Sequence, residues 1–309
     1  MKTKRATVQT ETLFPELQNE RRWETRGIFS EHYLRSRLTQ SHLWPKDEIA
    51  RSMYDFASEL WRKRHVGLAK GPEETTRREF LEKILERLGF SFFSNLGLPE
   101  SERPQTPDYL LFEDEETKDR IFNDDNEVKY QAAICLMEAK KVHHPLDQVS
   151  KKETPGRFPH QQVRDYLTSA ASKTGEPYFR WGILTSGDVW RLYCRDAHPS
   201  HYFEFHLAGT NDQFCSFDDF KVFFTLFQAQ VFVRKDGRCQ LDDIREEAII
   251  FQNKLEEDLR ERIFKVVADL ANGFWSYKDN KLTEGDLHDL YNNCLIFLYR
   301  LLFVLYAEG

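Results

Sequence analysis

The chain has 309 residues, 40% hydrophobic and 31% charged, with 25 phenylalanines; that is core material for one large or two modest domains and excludes a disordered chain. A formal net charge of −7 excludes a general role in coating nucleic acid. The five cysteines, at positions 135, 194, 215, 239 and 294, show no CxxC spacing, so neither a disulfide framework nor a zinc site is expected and a reducing cytoplasm is. The basic N-terminus MKTKRATVQT has no apolar stretch behind it, and the most apolar segment, 294–307, is interrupted by Arg300, so neither a secretory signal nor a membrane span is expected.

Along the chain, residues 1–20 are polar, and Ile28-Phe29-Ser30 then leads into EHYLRSRL, with Ser30 in the N-cap position of a helix. Residues 47–64 carry Ile49, Met53, Phe56, Leu60 and Trp61 at helical spacing, so 1–70 reads as a helical packing layer. The spacing predicts another helix over 73–88, with Phe80, Leu81, Ile84, Leu85 and Leu88 on one face and Gly89 as its stop. Residues 91–106, broken by prolines, read as a loop or short strand, and 108–112 as a strand. The acidic run 113–127 reads as a solvated excursion, and 129–142 as a longer strand. Prolines at 145, 155 and 159 mark a basic loop, followed by a helix over 159–172. Residues 178–185 and 189–193 form a hairpin around Ser186-Gly187-Asp188, with Trp181, Trp190 and Tyr193 as core, and 202–207 adds a strand. Helical patterns then cover 220–231, 241–270 and 287–307. The expected class is α/β (α+β), with regions 1–70, 71–207 and 208–309.

Chemistry concentrates in ICLMEAKKV, residues 134–142. A strand sends alternate side chains to one face, so Glu138 and Lys140 point the same way at the end of an apolar run. Asp108 heads the preceding apolar strand, directly after Pro107. Two carboxylates and a lysine on adjacent strands suit metal-assisted phosphodiester hydrolysis. Mg²⁺ takes oxygen ligands, keeps several waters and needs only one or two carboxylates, here Asp108 and Glu138, with the Ala139 carbonyl as a further oxygen. Lys140 would orient the attacking water and stabilise developing negative charge. ExK alone is equally a strand-end salt bridge. Gln162 and Tyr166 lie four apart on one helix face, the first able to donate and accept near metal waters or DNA, the second able to stack or bond a phosphate; QxxxY alone is equally an ordinary amphipathic helix. Glu73 and Glu74 serve the helix dipole or supply a third carboxylate. Lys151, Lys152, Arg157 and Arg164 are candidates for following a phosphate backbone, or form a plain solvated loop. His143-His144 are poor Mg²⁺ ligands, because the hard ion favours oxygen.

Pro107-Asp108, Glu138-Ala139-Lys140 and Gln162 to Tyr166, in that order, resemble the PD-(D/E)xK nuclease superfamily in its type I restriction and RecB-like branch. The resemblance implies a restriction-endonuclease-like mixed sheet flanked by helices, Mg²⁺-dependent DNA cleavage with Mn²⁺ as a substitute, and a Glu from the helix before the first strand. Glu74 is the first choice for that Glu, ahead of Glu73 and Glu79. FSEHYLRSRL, FLEKILERLGF, WGILTSGDVWRLY and LYRLLFVLYAE further resemble the N-terminal part of type IIG (type IIL-like) restriction-modification polypeptides. There a helical connector joins the nuclease to an adenine-N6 methyltransferase and a target-recognition domain. The implied partners are double-stranded DNA and those two domains, on the same or a partner chain, with no membrane. The chain departs from that pattern in lacking an Asn-Pro-Pro-Tyr motif and a glycine-rich S-adenosylmethionine loop. S-adenosylmethionine is therefore not expected to bind this segment, and the expectation is a truncation or a separate nuclease subunit. The alternative is a non-catalytic module of the same fold that docks a methyltransferase; a more distant one is a nuclease acting on RNA or modified DNA.

Overall fold

The computed structural model describes residues 22–99, 106–149 and 158–308. The chain divides into two compact units at 248/249, whereas the sequence pattern suggested boundaries at 70 and 207. The N-terminal helices belong to the sheet-bearing unit because they supply part of its core: Trp61 meets Phe80 edge-to-face at 5.5 Å.

The first unit is built on a seven-stranded mixed sheet. Its strands are β1 (Trp23–Arg26), β2 (Ser91–Ser94), β3 (Tyr109–Phe112), β4 (Cys135–Ala139), β5 (Trp181–Thr185), β6 (Val189–Cys194) and β7 (Tyr202–His206), in the spatial order β1-β7-β6-β5-β4-β3-β2. Among these described strands, only β4 and β5 pair in parallel. Their connection carries helix α7, which follows α1 (Glu31–Ser36), α2 (Asp47–Lys70), α3 (Glu73–Thr76), α4 (Glu82–Arg87), α5 (Glu115–Arg120) and α6 (Asn126–Ala132), and itself spans Pro159–Ser169. A π-helical turn, Arg77–Leu81, joins α3 to α4.

Local chemistry accounts for these elements. Ser30 caps α1, its hydroxyl accepting from the Tyr33 amide. The run 113–127 is not a plain solvated excursion: Asp114 caps α5 through the Thr117 amide, Asp125 caps α6 through the Val128 amide, and Ile121 is buried between them. Helix α6 also takes the start of the expected strand over 129–142, up to Ala132, and β4 is only five residues long. Edge strand β1 was not expected from the sequence. Gly187, at φ +87°, makes the turn of the β5–β6 hairpin. Gly182 lets α7 approach the sheet, since a Cβ there would lie 2.9 Å from Val163.

Two cores flank the sheet. On one face Leu110, Phe112, Leu136, Leu184 and Tyr193 pack against Val163, Tyr166 and Leu167 of α7. On the other, Trp190 and Phe205 meet Phe223 of helix α8 (Phe217–Phe227), each with ring centroids 5.3 Å apart. Trp181, Trp190 and Tyr193 are all buried, as expected of core aromatics.

The second unit contains most of α9 (Gln240–Ser276) and all of α10 (Leu287–Glu308). Val267, Leu290 and Cys294 form its small buried core. Among the described residues, no helix is long and apolar enough to cross a membrane.

Candidate active site

The β3–β4–β5–β6–β7 registers set one row of residues across the sheet. Glu204 pairs with Arg191, Arg191 with Leu184, and Leu184 with Glu138. Tyr109 pairs with Met137, and extending that register by one residue puts Asp108 opposite Glu138. By alternation Asp108 and Glu138 share the face that carries Leu110 and Leu136, the face covered by α7. Lys140 follows two residues later on the same face, its amide held by the Thr185 carbonyl at 2.7 Å.

Glu138 and Lys140 are 4% and 3% exposed, so each needs a partner inside the protein. Lys140 Nζ donates to Glu138 Oε1 at 2.9 Å. Glu138 Oε2 is equally buried and has no hydrogen-bond partner among the described residues. Asp108 is fixed from two sides: Oδ2 accepts from the Ala139 amide at 2.8 Å, and Oδ1 lies 3.2 Å from Arg77 Nη1. In an extended strand the N–H and C=O of one residue face the same neighbour, so the Ala139 carbonyl is also directed to the Asp108 side.

Burial, then the charge of Asp108, and to a smaller extent that of Glu73, push the Glu138 carboxyl up to about 8, with Lys140 opposing them. Glu138 is thus a buried carboxyl whose proton affinity is raised and which has one oxygen unsatisfied among the described residues. Among the described residues no group of three or more His, Cys, Asp or Glu stands ready to hold a metal ion. The donor set is two carboxylates plus a main-chain oxygen, which suits a hard cation that retains water.

The other predicted site residues scatter. Glu74 is half-exposed and paired with Arg77 and Arg78, while Glu73 is the helix carboxylate whose charge reaches Glu138. Glu79 pairs with Lys83 and Arg64. Gln162 is half-buried on α7, and its Oε1, like Glu138 Oε2, is buried without a partner among the described residues. Tyr166 is in the core, its hydroxyl donating to the Thr106 carbonyl at 3.2 Å, so it has no face open to a base or phosphate. Arg164 donates to the carbonyls of His198 and His201 at 3.2 and 3.0 Å and lies over the Tyr193 ring. It thus braces the β6–β7 turn, although the sequence suggested a phosphate contact. Lys151, Lys152 and Arg157 lie outside the described residues. His143 is 2.8 Å from Asp188, which raises its pKa and occupies it as an ion-pair partner.

Sequence reasoning missed Arg77 and the Arg191 cluster. Arg77 is buried, with Nε 3.1 Å from the Tyr109 hydroxyl and Nη1 3.4 Å from Asn95 Oδ1. Arg191 grips Asp147 with both terminal nitrogens at 2.7 Å and also holds Glu204. Asp147, Arg191, Glu204, His143 and His206 help line a cleft of about 530 Å³.

Comparison with protein families, with curated proteins and with solved structures finds no significant match to this chain.

Proposed function

We propose that this chain is a Mg²⁺-dependent DNA endonuclease domain of a restriction-modification or phage-defence system, hydrolysing phosphodiester bonds in double-stranded DNA. One observation carries the reading: Glu138 and Lys140 side by side at the end of a buried strand, Asp108 pinned opposite, and a carboxylate oxygen among them with no partner. The mixed sheet with flanking helices agrees with a restriction-endonuclease-like fold.

Asp108, Glu138 and the Ala139 carbonyl would hold the Mg²⁺, with Mn²⁺ as a substitute, and Glu74 or Glu73 would be the third carboxylate. When bound, the ion supplies Lewis acidity and lowers the pKa of its water. The chain's residues do the rest. Glu138, in its ionised form, would be the second carboxylate ligand. Lys140, already buried, offers its ammonium to a phosphoryl oxygen and to the attacking water. Gln162 contributes an amide to that water network.

Nicking of supercoiled plasmid with Mg²⁺ tests the reading. Lys140→Ala is expected to lower the rate by about 10²–10³-fold, as for loss of one pre-organised charge-stabilising donor. Equal rates in the two proteins would sink the assignment.

A second reading concerns the helical unit. On α10, Phe303 is 73% exposed and Tyr299 72%, with Leu301, Leu302, Val304 and Leu305 also open. An apolar surface of this extent favours a docking role, with an adenine-N6 methyltransferase and its target-recognition domain as partners. If docking is the whole function, a co-expressed methyltransferase co-elutes with the chain and Mn²⁺ does not bind.

A further inference from the structure

The helix before β3 contributes more than packing. Arg77 opens the π-helical turn and is 8% exposed, and every polar contact of its guanidinium lies around the start of β3 or on its own helix. Nη1 reaches Asp108 Oδ1 at 3.2 Å and Asn95 Oδ1 at 3.4 Å, with Glu74 Oε2 at 3.8 Å. Nη2 reaches the Asp108 carbonyl at 3.4 Å, and Nε reaches the Tyr109 hydroxyl at 3.1 Å. The guanidinium carbon lies 4.8 Å from the Tyr109 ring centroid. Tyr109 is held in turn by Glu82, at 3.0 Å, and the Asp108 carbonyl also accepts from the Asn95 amide at 3.0 Å.

Once Glu138 is ionised, as a metal ligand must be, Asp108 and Glu138 face each other across adjacent strands as like charges, a pairing that is electrostatically opposed. Some feature of the fold must keep the Asp108 carboxylate turned toward that repulsive neighbour. Resting on the nuclease reading above, we infer that Arg77 is the positioning residue of the metal site: anchored on Asn95 and Tyr109, its guanidinium fixes Asp108 in the orientation in which it and Glu138 share one divalent ion. A guanidinium that merely competed with the metal would have to leave when the metal arrives. Its fork is engaged by three residues besides the carboxylate, counting the Asp108 main chain as one, so it is built to stay. A π turn at this point agrees, since such insertions recur where a helix must aim one side chain.

Titration of the full chain with Mn²⁺ alone, read by calorimetry or by the electron paramagnetic resonance of the free ion, tests this without any cleavage assay. Arg77→Gln is expected to weaken Mn²⁺ binding about 10–100-fold, the range for residues that orient metal ligands. Arg77→Lys keeps the charge but loses the fork and should recover only part of the affinity. Asn95→Gly retains the left-handed backbone, at φ +56°, and removes one anchor, so it should give a smaller loss. Circular dichroism and thermal melts establish folding; should Arg77→Gln fail to fold, the Lys and Asn95 variants carry the test. Mn²⁺ binding that Glu138→Gln abolishes, but that the Arg77 and Asn95 variants leave unchanged or tighten, would overturn the positioning role alone. Absence of Mn²⁺ binding by the wild type at pH 8 would overturn the nuclease reading, and the inference with it.

Discussion

Two charged clusters lie in one row on the same face of the sheet, with Leu184 between them, yet their electrostatics are opposite. In the Arg191 cluster every charge is answered. Arg191 takes Asp147 in a two-pronged grip and also holds Glu204, whose other oxygen is 2.9 Å from His206. Hydrogen bonds from Arg191 lower the Asp147 pKa, and His206 and Arg191 hold Glu204 low against the burial that would raise it. In the Glu138 cluster burial and the neighbouring Asp108 win, and one oxygen is left without a partner. A satisfied network is a structural tie, here fastening the segment after Lys140 to β6 and β7. The unsatisfied oxygen on a rigid strand is the feature on which the metal-site proposal rests.

The largest expected effect separates the two clusters by stability. Arg191→Met leaves Glu204 buried without its cation and should cost about 3 kcal/mol or more. Glu138→Gln replaces a carboxyl whose proton affinity burial and Asp108 already raise with its neutral isostere, which can still accept from Lys140, and should change stability at pH 7 by less than about 1 kcal/mol. Urea unfolding at pH 7 measures both, and equal losses would erase the distinction.

A smaller effect sharpens it through pH. The native Glu138 holds its proton up to about 8, while the unfolded chain releases it in the ordinary carboxylate range. Between those limits the native state binds more protons, so this residue's contribution to metal-free stability falls as pH rises and levels off above about 8. Metal binding needs the carboxylate, so Mn²⁺ affinity should climb by up to about tenfold per pH unit until that plateau, with a proton released on binding. Calorimetry in buffers of different ionisation enthalpy counts that proton. A pH-independent affinity would show that Glu138 is not the titrating ligand.

The ExK strand was legible because alternation alone fixes which side chains share a face, and Ser30 because an N-cap is a local signal. Asp108 was legible as the head of the preceding apolar strand. What lay outside local pattern was lost. Strand β1, Trp-Glu-Thr-Arg, has two charges in four residues and exists because β7 offers it an edge. Arg77 looked like one more base on an amphipathic helix, since its partners, Asn95, Asp108 and Tyr109, come together only in the fold. Glu74 pairs with Arg77 and Arg78, three and four residues further along the same helical run, a spacing that the sequence already carried.

Tyr166 gives the smallest expected effect and the sharpest check on that limit. The four-residue spacing from Gln162 was read correctly as one helix face, but that spacing does not say whether the face is wet. In the fold Tyr166 packs with Leu136 and Leu184, and its hydroxyl bonds the Thr106 carbonyl, just before the strand that Asp108 heads. Tyr166→Phe should therefore cost about 1 kcal/mol, one hydrogen bond to a main-chain oxygen, and leave DNA affinity unchanged. A fluorescence-anisotropy titration with duplex DNA beside a thermal melt separates the outcomes. Weaker DNA binding at unchanged stability would mean that the tyrosine leaves the core to meet the substrate, and that α7 is a DNA-contacting surface after all.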